Sequence, residues 1–152
     1  MSDTPTDTTD PSTERGTDTR TDRNTLNTDV MQWVSALAAL IGLYVVASPF
    51  ILESTEAAIW NDSLVGTAIF LLAGYNFVRL SRDRLASVGV ASLSVLLGLW
   101  LLISPAVIEM GSNELATGTA ISGLLIAALS AYNAYANSKA DAPEDAVART
   151  RA

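Results

Sequence analysis

GLYVVASPFILE, residues 42–53, recurs 56 positions later in the chain as GLWLLISPAVIE, residues 98–109. Over the longer windows 33–53 and 89–109, eight of 21 positions are identical, and the identities include Gly, Ser, Pro and Glu. A shared apolar bias would not align these four residue types. The chain therefore contains an internal duplication, with a Ser-Pro pair near the end of each copy.

Gly, Ser, Pro and Glu recur in the same order in each copy, and we take as motif residues Gly42, Ser48, Pro49, Phe50 and Glu53 in the first copy and Gly98, Trp100, Ser104, Pro105 and Glu109 in the second. An aromatic residue follows each Gly after two positions, and Trp60, Asn61 and Gly66 follow the first copy. Over roughly residues 30–133 this pattern resembles the SPW-repeat family of integral membrane proteins, named for Ser-Pro-Trp. Here Phe50 and Ala106 replace the Trp. The resemblance implies a membrane architecture and no particular biochemical activity.

Four apolar segments predict membrane-spanning helices at residues 30–48, 64–78, 85–104 and 115–136. The first has 19 residues without a charge, about 28 Å of helix, which matches a hydrocarbon core of about 30 Å. A soluble helix of this length would show a polar stripe, and this segment is apolar all round. The predicted fold is an all-α four-helix transmembrane bundle, made of helical-hairpin repeats at residues 30–80 and 85–136. No Asp, Glu, Lys or Arg is expected inside any span.

The two ends of the chain are polar. Residues 1–29 are rich in Thr and Asp, and residues 137–152 are mostly polar or charged. Such segments cannot bury enough apolar surface to offset the entropy lost on ordering. We therefore predict that both tails are disordered.

The Ser-Pro pairs are expected to end or kink spans one and three, and an end is the favoured interpretation. Proline lacks an amide donor and interrupts a helix, and the preceding Ser48 or Ser104 can bond to the carbonyl that is left free. The apolar triplets 50–52 and 106–108 are then expected to turn along the membrane surface. The glutamates Glu53 and Glu109 follow these triplets. They could bind a cation or share a proton, or they could simply be solvated, and solvation is the favoured interpretation.

All nine Lys and Arg residues lie before span one, between spans two and three, or after span four. Positively charged loops stay in the cytoplasm, so both termini are predicted to be cytoplasmic in a multi-pass protein of the cell membrane. Each repeat has two spans, so both repeats have the same orientation.

Two sets of residues are candidates for helix contacts. Small residues four apart allow close approach in lipid, and we expect Ala38, Gly42, Ser94 and Gly98 at an interface between spans one and three. The pairs Tyr75-Asn76 and Tyr132-Asn133 are repeat-related near the inner ends of spans two and four. They could form a substrate site, but a membrane anchor with an interhelical hydrogen bond is the favoured interpretation.

Composition narrows the range of functions. The chain has no Cys and no His, and its net charge is −7. No nucleophile with a neighbouring base, phosphate loop or metal-ligand spacing is present. We therefore predict no cofactor, no nucleic-acid partner and no enzymatic activity.

The function that remains is a membrane protein of structural or interaction type. Its expected partners are the lipid bilayer and either further copies of itself in a homo-oligomer or the members of a larger membrane complex. The alternative is a small-solute or ion conduit along the repeat axis or in an oligomer. A continuous polar lining would distinguish the two.

Overall fold

A computed structural model describes the backbone of residues 11–151 and the side chains of residues 28–139. Within this part the chain forms four helices: α1 (Pro11–Ile51), α2 (Glu56–Ser81), α3 (Val88–Val107) and α4 (Asn113–Arg151). Each contains a segment that is long and apolar enough to cross a membrane: Thr28–Ile51, Glu56–Ser81, Val88–Val107 and Asn113–Lys139. The predicted all-α transmembrane fold is confirmed.

The connections between helices define two ends of the bundle. Residues 52–55 and 108–112 form what we name the outer end, and residues 82–87 form the inner end. At the outer end the two connections touch, because the Thr55 amide donates to Met110 O at 3.2 Å and the Thr55 hydroxyl donates to Glu109 O. Gly111 has φ +98°, and a Cβ there would lie 2.8 Å from Ser54 Cα. The two repeats are therefore joined directly at this end.

The predicted disordered tails, residues 1–29 and 137–152, lie almost wholly outside the residues whose side chains are described. Residues 137–139 are described, and they belong to α4. Asn137 is only 2% exposed, and its Nδ2 donates to Ala86 O. The second hairpin therefore extends past its predicted boundary at residue 136.

Helix α2 begins eight residues before the predicted start of span two at residue 64. Thr55 is its N-cap, and its Oγ1 accepts a hydrogen bond from Ala58 N at 3.1 Å. Glu56 lies in the first turn, where a negative charge is favourable beside the helix dipole. The polar residues before position 64 thus start a helix instead of prolonging a loop.

Helices α1 and α3 do not end at their Ser-Pro pairs. Both continue two residues beyond the proline, to Ile51 and Val107. The amides of Leu52 and Ile108 still donate to the carbonyls of Ser48 and Ser104, at 3.0 and 2.7 Å. The prediction that the prolines end the spans is therefore wrong. The triplets 50–52 and 106–108 do not turn as a whole along the surface, because the first two residues of each still belong to the helix. The predicted start of span three at residue 85 is also too early, because α3 begins at Val88 after the N-cap Ser87.

The interior of the bundle consists of three apolar clusters. The central layer has one fully buried side chain from each helix: Val45, Ile69, Leu101 and Ile126. An outer cluster contains Ala58, Met110 and Leu115, and an inner cluster contains Met31, Leu80 and Ala86. Positions 45 and 101 are equivalent in the two repeats, and so are positions 69 and 126. Each repeat therefore contributes the same two positions to the central layer.

Most of each span faces outward. Within an apolar stretch of 18 residues in each span, between 28% and 39% of the residues are buried inside the bundle. Large apolar side chains such as Trp33 and Ile51 are 77% and 79% exposed. A soluble protein rarely exposes apolar patches of this size. The surface is suited to contact with lipid, as a multi-pass membrane protein requires.

Candidate functional site

A carboxyl group lies inside the bundle. Asp62 is in the second turn of α2, within the membrane-spanning segment Glu56–Ser81, and it is 0% exposed. The prediction that no charged residue type falls inside a span is therefore wrong. It failed because Asp62 was assigned to a loop, whereas the helix begins six residues before it. Intramembrane ionisable residues are costly and usually functional, so Asp62 is the natural centre of a candidate site.

Four side chains from three helices form what we name the Asp62 cluster: Asn61, Asp62, Trp100 and Thr119. Thr119 Oγ1, on α4, donates to Asp62 Oδ2 at 2.7 Å. Asn61 Nδ2 donates to Asp62 Oδ1 at 2.9 Å. Trp100 Nε1, on α3, donates to Asn61 Oδ1 at 2.8 Å. Both carboxyl oxygens are therefore hydrogen-bonded, which removes much of the cost of burying them.

The cluster joins equivalent positions of the two repeats. Asp62 and Thr119 are 57 residues apart. This is the offset between equivalent positions in the second helices of the two repeats, because the second outer connection is one residue longer than the first. The hydrogen bond between them therefore links the same place in each copy. Asn61 corresponds to Gly118 in the same way, and a Cβ built at Gly118 would lie 3.1 Å from the Tyr44 hydroxyl. The aromatic residue of each repeat thus contacts the second helix of the other repeat.

The Ser-Pro pairs have a direct physical explanation. A proline at position 49 cannot donate to the carbonyl four residues earlier, at Val45, and Pro105 likewise leaves Leu101 O without its usual donor. Ser48 Oγ donates to Val45 O at 3.0 Å, and Ser104 Oγ donates to Leu101 O at 3.1 Å. Both serines are buried. Each hydroxyl therefore replaces the amide that its proline lacks, and the last turn remains helical.

The comparison with protein families agrees with this repeated geometry. A family model described as the SPW repeat domain matches residues 32–133, which is about two thirds of the chain. The chain belongs to the SPW repeat family. No curated protein and no solved structure gives a match.

Helix contacts within each SPW repeat involve the predicted glycines, but with a different partner. A Cβ on Gly42 would lie 2.9 Å from Phe70 N and 3.1 Å from Gly66 O, both on α2. A Cβ on Gly98 would lie 2.8 Å from Gly123 O, on α4. The expected interface between spans one and three is therefore wrong for these residues, which pack the two helices of one repeat together. Ala38 and Ser94, one turn earlier, are both buried.

The Tyr-Asn pairs divide between surface and interior. Tyr75 and Tyr132 are 52% and 45% exposed, whereas Asn76 and Asn133 are buried. Asn133 Nδ2 donates to Ser35 Oγ of α1 at 3.0 Å. Asn76 Oδ1 accepts from the amide of Ser87, the N-cap of α3, at 3.1 Å. Each pair therefore combines an exposed tyrosine with a buried asparagine that bonds to another helix or to its N-cap.

The glutamates of the repeat motif lie apart from the Asp62 cluster. The side chains of Glu53 and Glu109 are exposed at the outer end. Among the side chains of residues 28–139, no three His, Cys, Asp or Glu groups are close enough to hold a metal ion. Whether the two glutamates bind a cation or are solvated stays a prediction, with solvation favoured.

Four polar residues were not predicted from the sequence: Asn61 and Thr119 in the Asp62 cluster, and Ser35 and Asn137 nearer the inner end. For Thr119 a signal existed, because the offset of 57 that relates Tyr75 to Tyr132 also relates position 62 to 119. A polar residue at both equivalent positions, in otherwise apolar surroundings, indicates a contact on the repeat axis. For Ser35 and Asn137 the sequence offers no comparable signal.

Proposed function

We propose that this SPW repeat protein is a structural or interaction component of the cell membrane and not an enzyme. The observation that carries the proposal is the central layer, where one side chain from each helix is 0% exposed. These side chains fill the middle of the bundle and separate the Asp62 cluster from the polar residues near the inner end. A core packed in this way supports a stable scaffold and provides no aqueous route through one chain.

A component of this type needs a partner, either a second copy or another membrane protein. We expect the chain to leave the membrane in a complex larger than a monomer when it is extracted with a mild detergent. Light scattering after size-exclusion chromatography gives the mass of the complex, and mass spectrometry identifies its members. A monomer with no co-purified protein, both in detergent and in discs cut directly from native membranes, would contradict the interaction role.

The second candidate function is a conduit for protons or small ions, and Asp62 is the observation that favours it. Purified protein in vesicles that enclose a pH-sensitive dye tests this function. Under the leading proposal, an imposed pH difference decays no faster than in protein-free vesicles. The variant Leu101→Ser places a hydroxyl in the central layer and serves as the control for an opened core. Rapid decay with the parent protein, abolished by Asp62→Asn, would establish the conduit instead.

We further propose that both termini face the cytoplasm, on the basis of the nine basic residues. Single cysteines can test this, since the chain has none of its own. Glu53 and Asn113 are suitable outer positions because they are exposed and leave the helix-capping Thr55 and Ser112 intact. In intact cells a membrane-impermeant thiol reagent should label both, and should spare a cysteine at Ser81 until the membrane is opened. The reverse pattern would invert the topology.

A further inference from the structure

We propose that the Asp62 cluster is a binding site for a single proton, held on Asp62 Oδ2 between the two SPW repeats. This goes beyond a structural or interaction role, because it assigns a ligand to the interior of the bundle. The argument depends on three features of the site: the burial of the carboxyl group, the absence of a nearby cationic side chain, and the direction of the hydrogen bonds.

The carboxyl group has no positive partner among the described residues. In residues 28–139 the basic residues are Arg79, Arg82, Arg84 and Lys139, and all lie at or beyond the inner ends of the membrane-spanning segments. Arg79 is 17 residues from Asp62 along α2, which is about 25 Å at the rise of an α-helix. The groups that do contact Asp62 are the neutral side chains of Thr119 and Asn61. A fully buried carboxylate without a counter-charge is very costly, so a cation from solution must neutralise it.

A proton suits the site better than a metal ion. Divalent cations such as Ca²⁺ take six to eight oxygen ligands. Here the site offers one carboxyl group and one hydroxyl, because Asn61 Oδ1 is occupied by the Trp100 indole. A proton requires only one oxygen to bind and one acceptor beside it.

The hydrogen bonds decide which oxygen carries the proton. An indole N–H can only donate, so the contact from Trp100 identifies Oδ1 of Asn61 as the acceptor. The amide nitrogen of Asn61 must then face Asp62 and donate to Oδ1. Asp62 Oδ1 is therefore the carbonyl oxygen of the acid, and Oδ2 is the protonated oxygen. Trp100 acts here as a positioning residue, through Asn61.

Thr119 completes the site. Its Oγ1 lies 2.7 Å from Asp62 Oδ2, a distance that suits a hydrogen bond in either direction. When the carboxyl group is ionised, the Thr119 hydroxyl donates to it. When a proton arrives from water, it binds Oδ2, the acid O–H donates to Thr119 Oγ1, and the hydroxyl turns to a helix carbonyl of the preceding turn, as threonine commonly does. No other bond forms or breaks.

The other ionisable side chains near the site are exposed or half exposed, and none of them belongs to the Asp62 cluster. On α2 itself Glu56 is exposed, and on α4 Glu114 is exposed. Helix α3 carries no ionisable side chain. Tyr44 of α1 is half exposed. The connections at the outer end contribute the exposed Glu53 and Glu109.

The route of exchange is toward the outer end. Asp62 lies six residues into α2, about 9 Å along the helix axis from Glu56. The small cluster of Ala58, Met110 and Leu115 lies near this end. On the other side lies the central layer, with one fully buried side chain from each helix. A proton therefore reaches the site from the outer end and does not continue through the bundle.

Infrared spectroscopy tests the proposal on the full chain in a maltoside detergent, which has no ester carbonyl to obscure the acid band. At neutral pH the spectrum of the parent protein minus that of Asp62→Asn should contain the C=O band of a protonated carboxylic acid, which shifts in D2O. The variant Thr119→Val should move this band to higher frequency without abolishing it, because the acid loses its hydrogen-bond partner. Thermal unfolding shows that each variant is folded.

Three results would overturn the proposal. The first is a difference spectrum with the bands of an ionised carboxylate in place of the acid band. The second is an acid band that persists in Asp62→Asn. The third is an acid band seen in sodium-free buffer but lost when sodium chloride is added, which would assign the site to an alkali cation. If Asp62→Asn does not fold, the comparison of Thr119→Val with the parent decides, since an unshifted or absent acid band contradicts the assignment.

Discussion

A methyl group added at Gly123 should destabilise the bundle more than a methyl group at any other described helical glycine. A Cβ at this position would lie 2.5 Å from Leu102 N and 2.6 Å from Gly98 O. These atoms belong to the backbone of α3 and cannot turn aside, so the two helices would have to separate. Overpacking of this kind costs about 1–3 kcal/mol, and occasionally more. Alanine also favours the helix over glycine by about 1 kcal/mol, which offsets part of that cost.

Gly74 provides the matched control. It lies in the interior of α2, and a Cβ there would have no neighbour within 4 Å. Gly74→Ala therefore gains the helix propensity without the steric cost and should stabilise the protein slightly. The difference between Gly123→Ala and Gly74→Ala removes the propensity contribution, and should equal the overpacking cost of about 1–3 kcal/mol.

The first repeat supplies a graded test. At Gly42 the nearest atom to a Cβ is Phe70 N at 2.9 Å, compared with Ala127 N at 2.7 Å for Gly98. The loss of stability should therefore follow the order Gly123→Ala, Gly98→Ala, Gly42→Ala. Unfolding by sodium dodecyl sulfate in mixed micelles, followed by circular dichroism, measures the free energies. Equal stabilities for Gly123→Ala and Gly74→Ala would refute the close approach of α3 and α4.

Three further predictions concern hydrogen bonds, and the same unfolding assay measures all of them. Ser48→Ala should cost about 1–3 kcal/mol, because a buried carbonyl loses its donor. In the double variant with Pro49→Ala, the new amide of residue 49 should recover most of this loss. If the stability changes of the two single variants simply add in the double variant, the hydroxyl does not replace the missing amide. Thr119→Val should cost more than Asp62→Asn, since Asn keeps an acceptor for Asn61 and a donor for the threonine hydroxyl, and the reverse order would contradict the assigned bond. Trp100→Phe should cost about 1 kcal/mol and leave the helix content unchanged, whereas no loss would show that the indole bond contributes nothing.

The number and type of the helices could be predicted from the sequence because lipid imposes a simple requirement. A span must be apolar for about 20 residues and must satisfy its backbone internally. The duplication added a second, independent constraint, since a feature found in one repeat was expected in the other. This is why the hydroxyl of Ser48 and that of Ser104 were both expected to bond to the carbonyls freed by proline.

The errors arose where a contact that the sequence pattern does not show determines the local structure. Asp62 suggested a loop, because a charge is unfavourable in lipid, and the contacts with Thr119 and Asn61 compensate for its burial in the helix. Pro49 suggested a helix end, because proline lacks an amide donor. The hydroxyl of Ser48 replaces that donor, and the helix continues. The partner of Gly42 depends on how the helices pack, and small residues four apart predict a contact without indicating which helix makes it.

Asp62 and Thr119 occupy equivalent positions in the two repeats and are bonded to each other, but they differ in their chemistry. Two separate copies of one hairpin would place the same side chain at both positions on their shared axis. Two aspartates would compete for ionisation, and two threonines would offer no acid at all. Joined in one chain, the two copies can differ, so that one position carries the acid and the other carries the hydroxyl that bonds to it. On the proposed assignment, the covalent fusion places the single proton of each bundle on a defined residue, whereas two aspartates would share it between equivalent positions.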